Sequence, residues 1–126
     1  MSLLVGEYIR SLHTILESGD IASDTYNHAL SINVLIERLY KQDVISNKEL
    51  LILNEVASGY SYAEIGSDIE LDRKSVSKIF RRTCRKIGYI LGGKFTDIGF
   101  AHDVASKHAF GHKELEQLDK FLQRQE

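Results

Sequence analysis

Proline does not occur among the 126 residues. Without its fixed φ and missing N–H, nothing of that kind kinks or ends a helix, so long unbroken helices are favoured throughout. Cysteine occurs once, as Cys84, which excludes an internal disulfide and suits a reducing interior. No apolar run approaches the ~18 residues that a membrane span requires. The N-terminus has no basic region followed by an apolar stretch, so no secretory signal is predicted. Together these absences predict a cytoplasmic protein with no membrane partner. What is present is a globular composition, 43% hydrophobic and 27% charged, in a length that suits one compact core with short extensions.

A further absence is local. Residues 73–94 contain no acidic side chain and eight basic ones. Residues 1–72 hold twelve acidic against four basic, and residues 95–126 hold six against four. The net charge of −2 therefore conceals a cationic segment set between acidic ones. Such asymmetry points to a polyanionic partner more directly than a high overall pI would.

Apolar residues recur at helical spacing almost everywhere, and no convincing period-two strand is found. The spacing predicts a helix from about Leu3 to Glu17, with Leu4, Tyr8, Leu12, Ile15 and Leu16 on one stripe and Gly19 at its end. A second is predicted from about Asp24 to Gln42, with a wide apolar set of Tyr26, Ala29, Leu30, Ile32, Leu35, Ile36, Leu39 and Tyr40. Three helices then share one grammar of starts. Ser46 precedes Glu49 by three, a capping box, with Ile45 and Leu50 able to close a hydrophobic staple; Ser61 and Glu64 repeat the box, with Tyr60 and Ile65 as the staple. Asp72 caps the next helix, flanked by Leu71 and Val76. These signals predict helices at about Asn47–Ser58, Tyr62–Ile69 and Arg73–Leu91, with Gly59 and Gly92 as helix-ending glycines. Short helix, tight turn and long helix in that order is the helix-turn-helix arrangement. A short helix around Asp97–Ala109 and a last one at about Lys113–Gln123, with Leu115, Leu118, Phe121 and Leu122 on one side, complete the reading. The fold class is all-α: a small helical bundle with an N-terminal helical pair (residues 1–44), a helix-turn-helix (45–93) and a C-terminal helical extension (94–126).

On a wheel of 100° per residue, Lys74, Lys78, Arg81, Arg82 and Arg85 share one face of the 73–91 helix. Val76, Ile79, Phe80, Thr83 and Ile87 share the opposite one, and Ser75 and Ser77 flank the basic stripe near its start. One flank can be anchored in a core while the other meets phosphates and base edges of double-stranded DNA. A merely solvated helix intersperses Glu with Lys and gains from i,i+4 pairs, whereas like charges on one stripe repel. That repulsion is relieved if a polyanion lies against the stripe.

Ile45-Ser46-Asn47-Lys48-Glu49, Val56-Ala57-Ser58-Gly59-Tyr60-Ser61, Glu64-Ile65-Gly66, Ile69 and Ser75-Val76 resemble the LuxR/GerE-type helix-turn-helix, whose pattern reads L-T-x-R-E, A-x-G-x-S, E-I-A, L and T-V at matching intervals. The C-terminal promoter-reading domain of sigma factors is similar. The resemblance covers about Ile45 to Leu91 without gaps. It implies that Arg73, Lys74, Ser77 and Lys78 contact bases and that Arg81, Arg82 and Arg85 contact phosphates, with Ser75 beside them. Lys and Arg can pair with guanine acceptors. Departures are Asp72 for the usual Ser or Thr cap, Gly66 for Ala, and Leu51 and Glu55. Residues 1–44 are too few for a phospho-receiver or pheromone-binding domain.

Other constellations carry less. Gly88 to Lys94 spells the letters of a phosphate-binding loop, but a helix precedes it and Phe95 stands where Ser or Thr must coordinate magnesium. His102, His108 and His112 cluster, but Gly111 interrupts the helix that would align two of them as zinc ligands. Cys84 reads as a buried small hydrophobe. No nucleophile motif such as G-x-S-x-G occurs. The expectation is a non-enzymatic protein with no catalytic residue, metal or cofactor: a sequence-specific, nucleoid-associated transcriptional regulator. Paired half-sites about one helical turn apart imply a homodimer, with Leu115, Leu118 and Leu122, or Leu4, Tyr8 and Leu12, as candidate seams. Two alternatives stand beside it. One is a phage-type sigma-like factor, with RNA polymerase as partner, or a small terminase subunit. The other is an interaction module whose basic helix docks on an acidic protein.

Overall fold

The computed structural model describes residues 3–20, 23–91 and 111–124. Among them are seven helices and no strand: α1 (Leu3–Arg10), α2 (Leu12–Ser18), α3 (Asp24–Lys41), α4 (Asn47–Ala57), α5 (Tyr62–Ile69), α6 (Arg73–Leu91) and α7 (His112–Arg124). The all-α class follows from the periodicity. The helix predicted over 97–109 and the Gly92 stop signal lie outside the described residues.

Local chemistry accounts for the element ends. Ser46 Oγ accepts from the Glu49 amide at 3.1 Å while Glu49 Oε1 accepts from the Ser46 amide at 2.9 Å. Ser61 and Glu64 repeat both bonds at 3.1 Å. Asp72 Oδ1 accepts from the Ser75 amide at 2.7 Å. Each such cap contributes about 1 kcal/mol to the helix it starts. Gly19 and Gly59 end their helices at φ of +67° and +95°, conformations that glycine adopts without steric cost. Ser23 caps α3 by accepting from the Tyr26 amide.

One hydrophobic core draws on all three predicted segments. It includes Val5, Ile9 and Leu12 from the start of the chain, Ile52, Leu53, Ile65, Val76, Phe80 and Ile87 from the middle, and Leu118 and Phe121 from the end. The N-terminal helix differs from expectation in two ways. It divides at Ser11 into α1 and α2. Its buried face is Val5, Ile9 and Leu12, while Tyr8, Ile15 and Leu16 pack at the edge. Gly6 lies on the same side, where a Cβ would stand 3.4 Å from the Phe80 ring, so α1 meets α6 through positions 5, 6 and 9. The side chain of Leu4 is outside the described residues.

The face of α3 is narrower than predicted. Ala29, Ile32, Leu35, Ile36 and Leu39 are buried, Tyr26 is half-buried, and Leu30 and Tyr40 are exposed. On α7, Leu118 and Phe121 are fully buried and Leu115 is half-buried. Of the two leucine stripes considered as a dimer seam, Leu12 and Leu118 lie inside the chain's own core, Tyr8 and Leu115 are half-buried, and Leu122 is exposed. Gln117 donates to the Asp43 carbonyl at 2.8 Å and Tyr89 to Asp119 at 2.9 Å, further fixing α7 against the bundle.

Candidate nucleic-acid interface

The turn between α5 and α6 sets the direction in which α6 leaves the bundle. Glu70 takes a left-handed conformation at φ 58°, and its N–H and that of Leu71 both reach the Gly66 carbonyl. The chain is thereby folded flat onto Gly66. A Cβ at that position would stand 2.3 Å from the Leu71 carbonyl oxygen, so alanine does not fit without moving backbone. The departure at Gly66 is thus required by this turn, whatever it costs the helix in propensity. Ile65 and Val76 are buried between α5 and α6, with Ile69 and Ile79 half-buried beside them.

From Asp72 the long helix presents two unlike sides. Val76, Phe80, Thr83 and Ile87 are buried, matching the predicted apolar face. On the other side Arg73, Lys74, Lys78 and Arg81 are exposed, Ser75 and Ser77 are partly covered, and Arg85 is half-buried. No carboxylate among the described residues pairs with any of these five cations. Tyr62 of α5 joins Arg73, Lys74, Ser77, Lys78 and Arg81 around an open concavity of about 620 Å³. The carboxyl of Asp72 is held below its ordinary range by the Ser75 amide, so the cap stays ionised.

Arg82 departs from this group. It reaches sideways to Glu114 of α7, with its side chain 39% exposed. Lys86 lies deeper still, its side chain 8% exposed. It donates to Glu49 and to Glu114, each at 3.1 Å. The Thr83 hydroxyl lies 3.0 Å from Glu49 as well. Burial alone would raise the pKa of Glu49, but the Ser46 amide, the charge of Lys86, and hydrogen bonds from Lys86 and Thr83 outweigh it and pull it below 4.5. The cationic segment is therefore divided: the first turns of α6 face outward, and two of the later cations, Arg82 and Lys86, are paired with carboxylates of α4 and α7, Lys86 in a buried position.

Sequence reasoning missed two contributors to the outer face. Arg10 of α1 places its guanidinium 5.3 Å from the centroid of Phe80 and 5.7 Å from that of Tyr62, and it donates to the Tyr62 hydroxyl. Tyr62 stands between this guanidinium and the basic concavity. A signal was present, since Arg10 is the sole basic residue before Arg38 in an acidic stretch.

The remaining candidates are soon placed. Cys84 is buried, and burial, opposed by the charges of Arg10 and Arg85, pushes its thiol up to about 12. His112 is exposed at the start of α7, while His102, His108 and residues 92–94 lie outside the described residues. Among the described residues no cluster of three metal-ligating side chains occurs. No described helix is long and apolar enough to cross a membrane. No family model, curated protein or solved structure matches the chain.

Proposed function

We propose that α5 and α6 form a LuxR/GerE-type helix-turn-helix and that the protein is a sequence-specific, double-stranded-DNA-binding transcriptional regulator. In this reading it acts on the nucleoid, in the cytoplasm, as a homodimer on paired half-sites. One observation carries the proposal. Arg73, Lys74, Lys78 and Arg81 stand exposed on one side of a helix whose other side is core, and no described carboxylate neutralises them. A helix anchored along one flank and cationic along the other can enter a major groove about 12 Å wide, with its early side chains toward base edges. Ser77 lies among the lysines and arginines that line the concavity, and a hydroxyl there can donate to or accept from a base edge.

The test is a mobility shift with duplex selected from a random pool, repeated across a salt series. Binding should weaken with a log–log slope of about −0.9 per phosphate neutralised. Arg81→Ala should weaken all duplexes alike and lower that slope by about 1, whereas Lys78→Ala should change preference at one base pair by roughly 1–3 kcal/mol. Two substitutions with the parent's affinity, slope and preference would reject the assigned face. Sedimentation with and without a palindromic duplex tests the dimer.

A further inference from the structure

The N-terminal helical pair completes the core, yet one of its side chains points away from that task. Arg10 ends α1, is exposed, and forms an ion pair with no carboxylate among the described residues. Its position is set from two sides. Its guanidinium lies over the Phe80 ring, which is itself buried in the core, and it donates to the hydroxyl of Tyr62. Stacking on aromatic faces and a directed hydrogen bond fix the plane of a guanidinium without cancelling its charge.

Tyr62 is the shared wall of two neighbouring concavities. On one side lie Arg73, Lys74, Ser77, Lys78 and Arg81 of α6; on the other lie Arg10, Tyr60 and Ser61. The cationic surface of α6 therefore continues past Tyr62 to a charge delivered by α1. A duplex backbone seated along α6 carries its phosphates in a regular row, and a cation beyond the edge of the reading helix meets that row rather than a base.

We infer that Arg10 is a phosphate-contacting residue of the DNA interface, so that the N-terminal pair extends the bound surface beyond the helix-turn-helix. This rests on the DNA-binding reading of α6. Tyr62 acts in it as a positioning residue, holding the guanidinium through its hydroxyl. Arg10 carries no sequence preference, because it reaches backbone and not base edges.

The experiment compares the full chain with Arg10→Gln, Arg10→Lys, Tyr62→Phe and, as a reference, Arg81→Ala, each first shown to be folded by thermal unfolding. Affinity for the selected duplex is measured across a salt series. Phosphate-ethylation interference is mapped for the parent and Arg10→Gln. Arg10→Gln should lower the salt slope by about 1 and lose one flanking phosphate from the interference map, with base preference unchanged. Arg10→Lys should keep the slope, because the charge remains. Tyr62→Phe should weaken binding less than Arg10→Gln. If Arg10→Gln keeps the parent's slope and map while Arg81→Ala loses slope, the inference is overturned and the DNA reading stands. A parent that binds no duplex overturns both.

Discussion

The two halves of α6 are built from similar residues and meet opposite fates. Before residue 82 the helix carries Arg73, Lys74, Lys78 and Arg81, all exposed and none paired with a described carboxylate. From residue 82 onward it carries Arg82, Arg85 and Lys86, of which two are held by Glu49 and Glu114 from distant parts of the chain. The helix wheel groups Arg82 and Arg85 with the outward Lys74, Lys78 and Arg81, and of the later cations leaves only Lys86 off that stripe. What separates them is where α4 and α7 cross α6. A lysine or arginine becomes a contact surface or a structural tie according to the carboxylates the fold brings to it.

Substitutions can break or sharpen this contrast, and the largest effect belongs to the enclosed half. Lys86→Ala leaves the half-buried Glu49 and Glu114 facing each other without their shared cation, and should lower stability by about 3 kcal/mol in urea unfolding. The salt slope of DNA binding should stay at the parent's value. A stable Lys86→Ala protein with a reduced slope would merge the two halves into one surface.

Acid should act on the same half. Glu49 titrates below its ordinary 4.5, so its contribution to stability is fully present above 4.5 and is lost as pH falls through the lower, folded value. The urea midpoint should therefore drop as pH falls below 4.5, and the drop should shrink in Lys86→Ala, where the chief attracting charge is gone. The smallest effect belongs to the boundary. Glu114→Gln frees the partly solvated Arg82 and leaves the buried Lys86 with Glu49 alone, so it should cost roughly 1–2 kcal/mol, less than Lys86→Ala, and should steepen the salt slope by up to ~1 as Arg82 is released toward the outer face. An unchanged slope would place Arg82 away from DNA even when freed.

The starts of α4, α5 and α6 were legible because a cap is written within four residues: Ser46 with Glu49, Ser61 with Glu64, Asp72 with Ser75. The two faces of α6 were legible because helical period alone separates Val76 and Phe80 from Lys74 and Lys78. Lys86 was not legible, since its partners lie 37 and 28 residues away and only the fold joins them. The stop of α5 at Ile69 was read correctly, but the conformation of its turn was not: no glycine marks it, and Glu70 adopts the left-handed turn against its own preference. The face of α1 was misplaced by about a quarter turn because Leu4, Tyr8 and Leu12 fit helical spacing as well as Val5, Ile9 and Leu12 do, and only packing against the rest of the bundle chooses between them.

Glu49 serves two structures with one carboxyl group. Oε1 accepts from the Ser46 amide in the first turn of α4, and Oε2 receives Lys86 and Thr83 from α6. The end of a helix is ordinarily where it frays, opening long before the rest of the molecule. Here fraying that turn would also strip a buried ammonium of a counter-charge, so amide exchange at the start of α4 should follow the slow opening of the whole bundle.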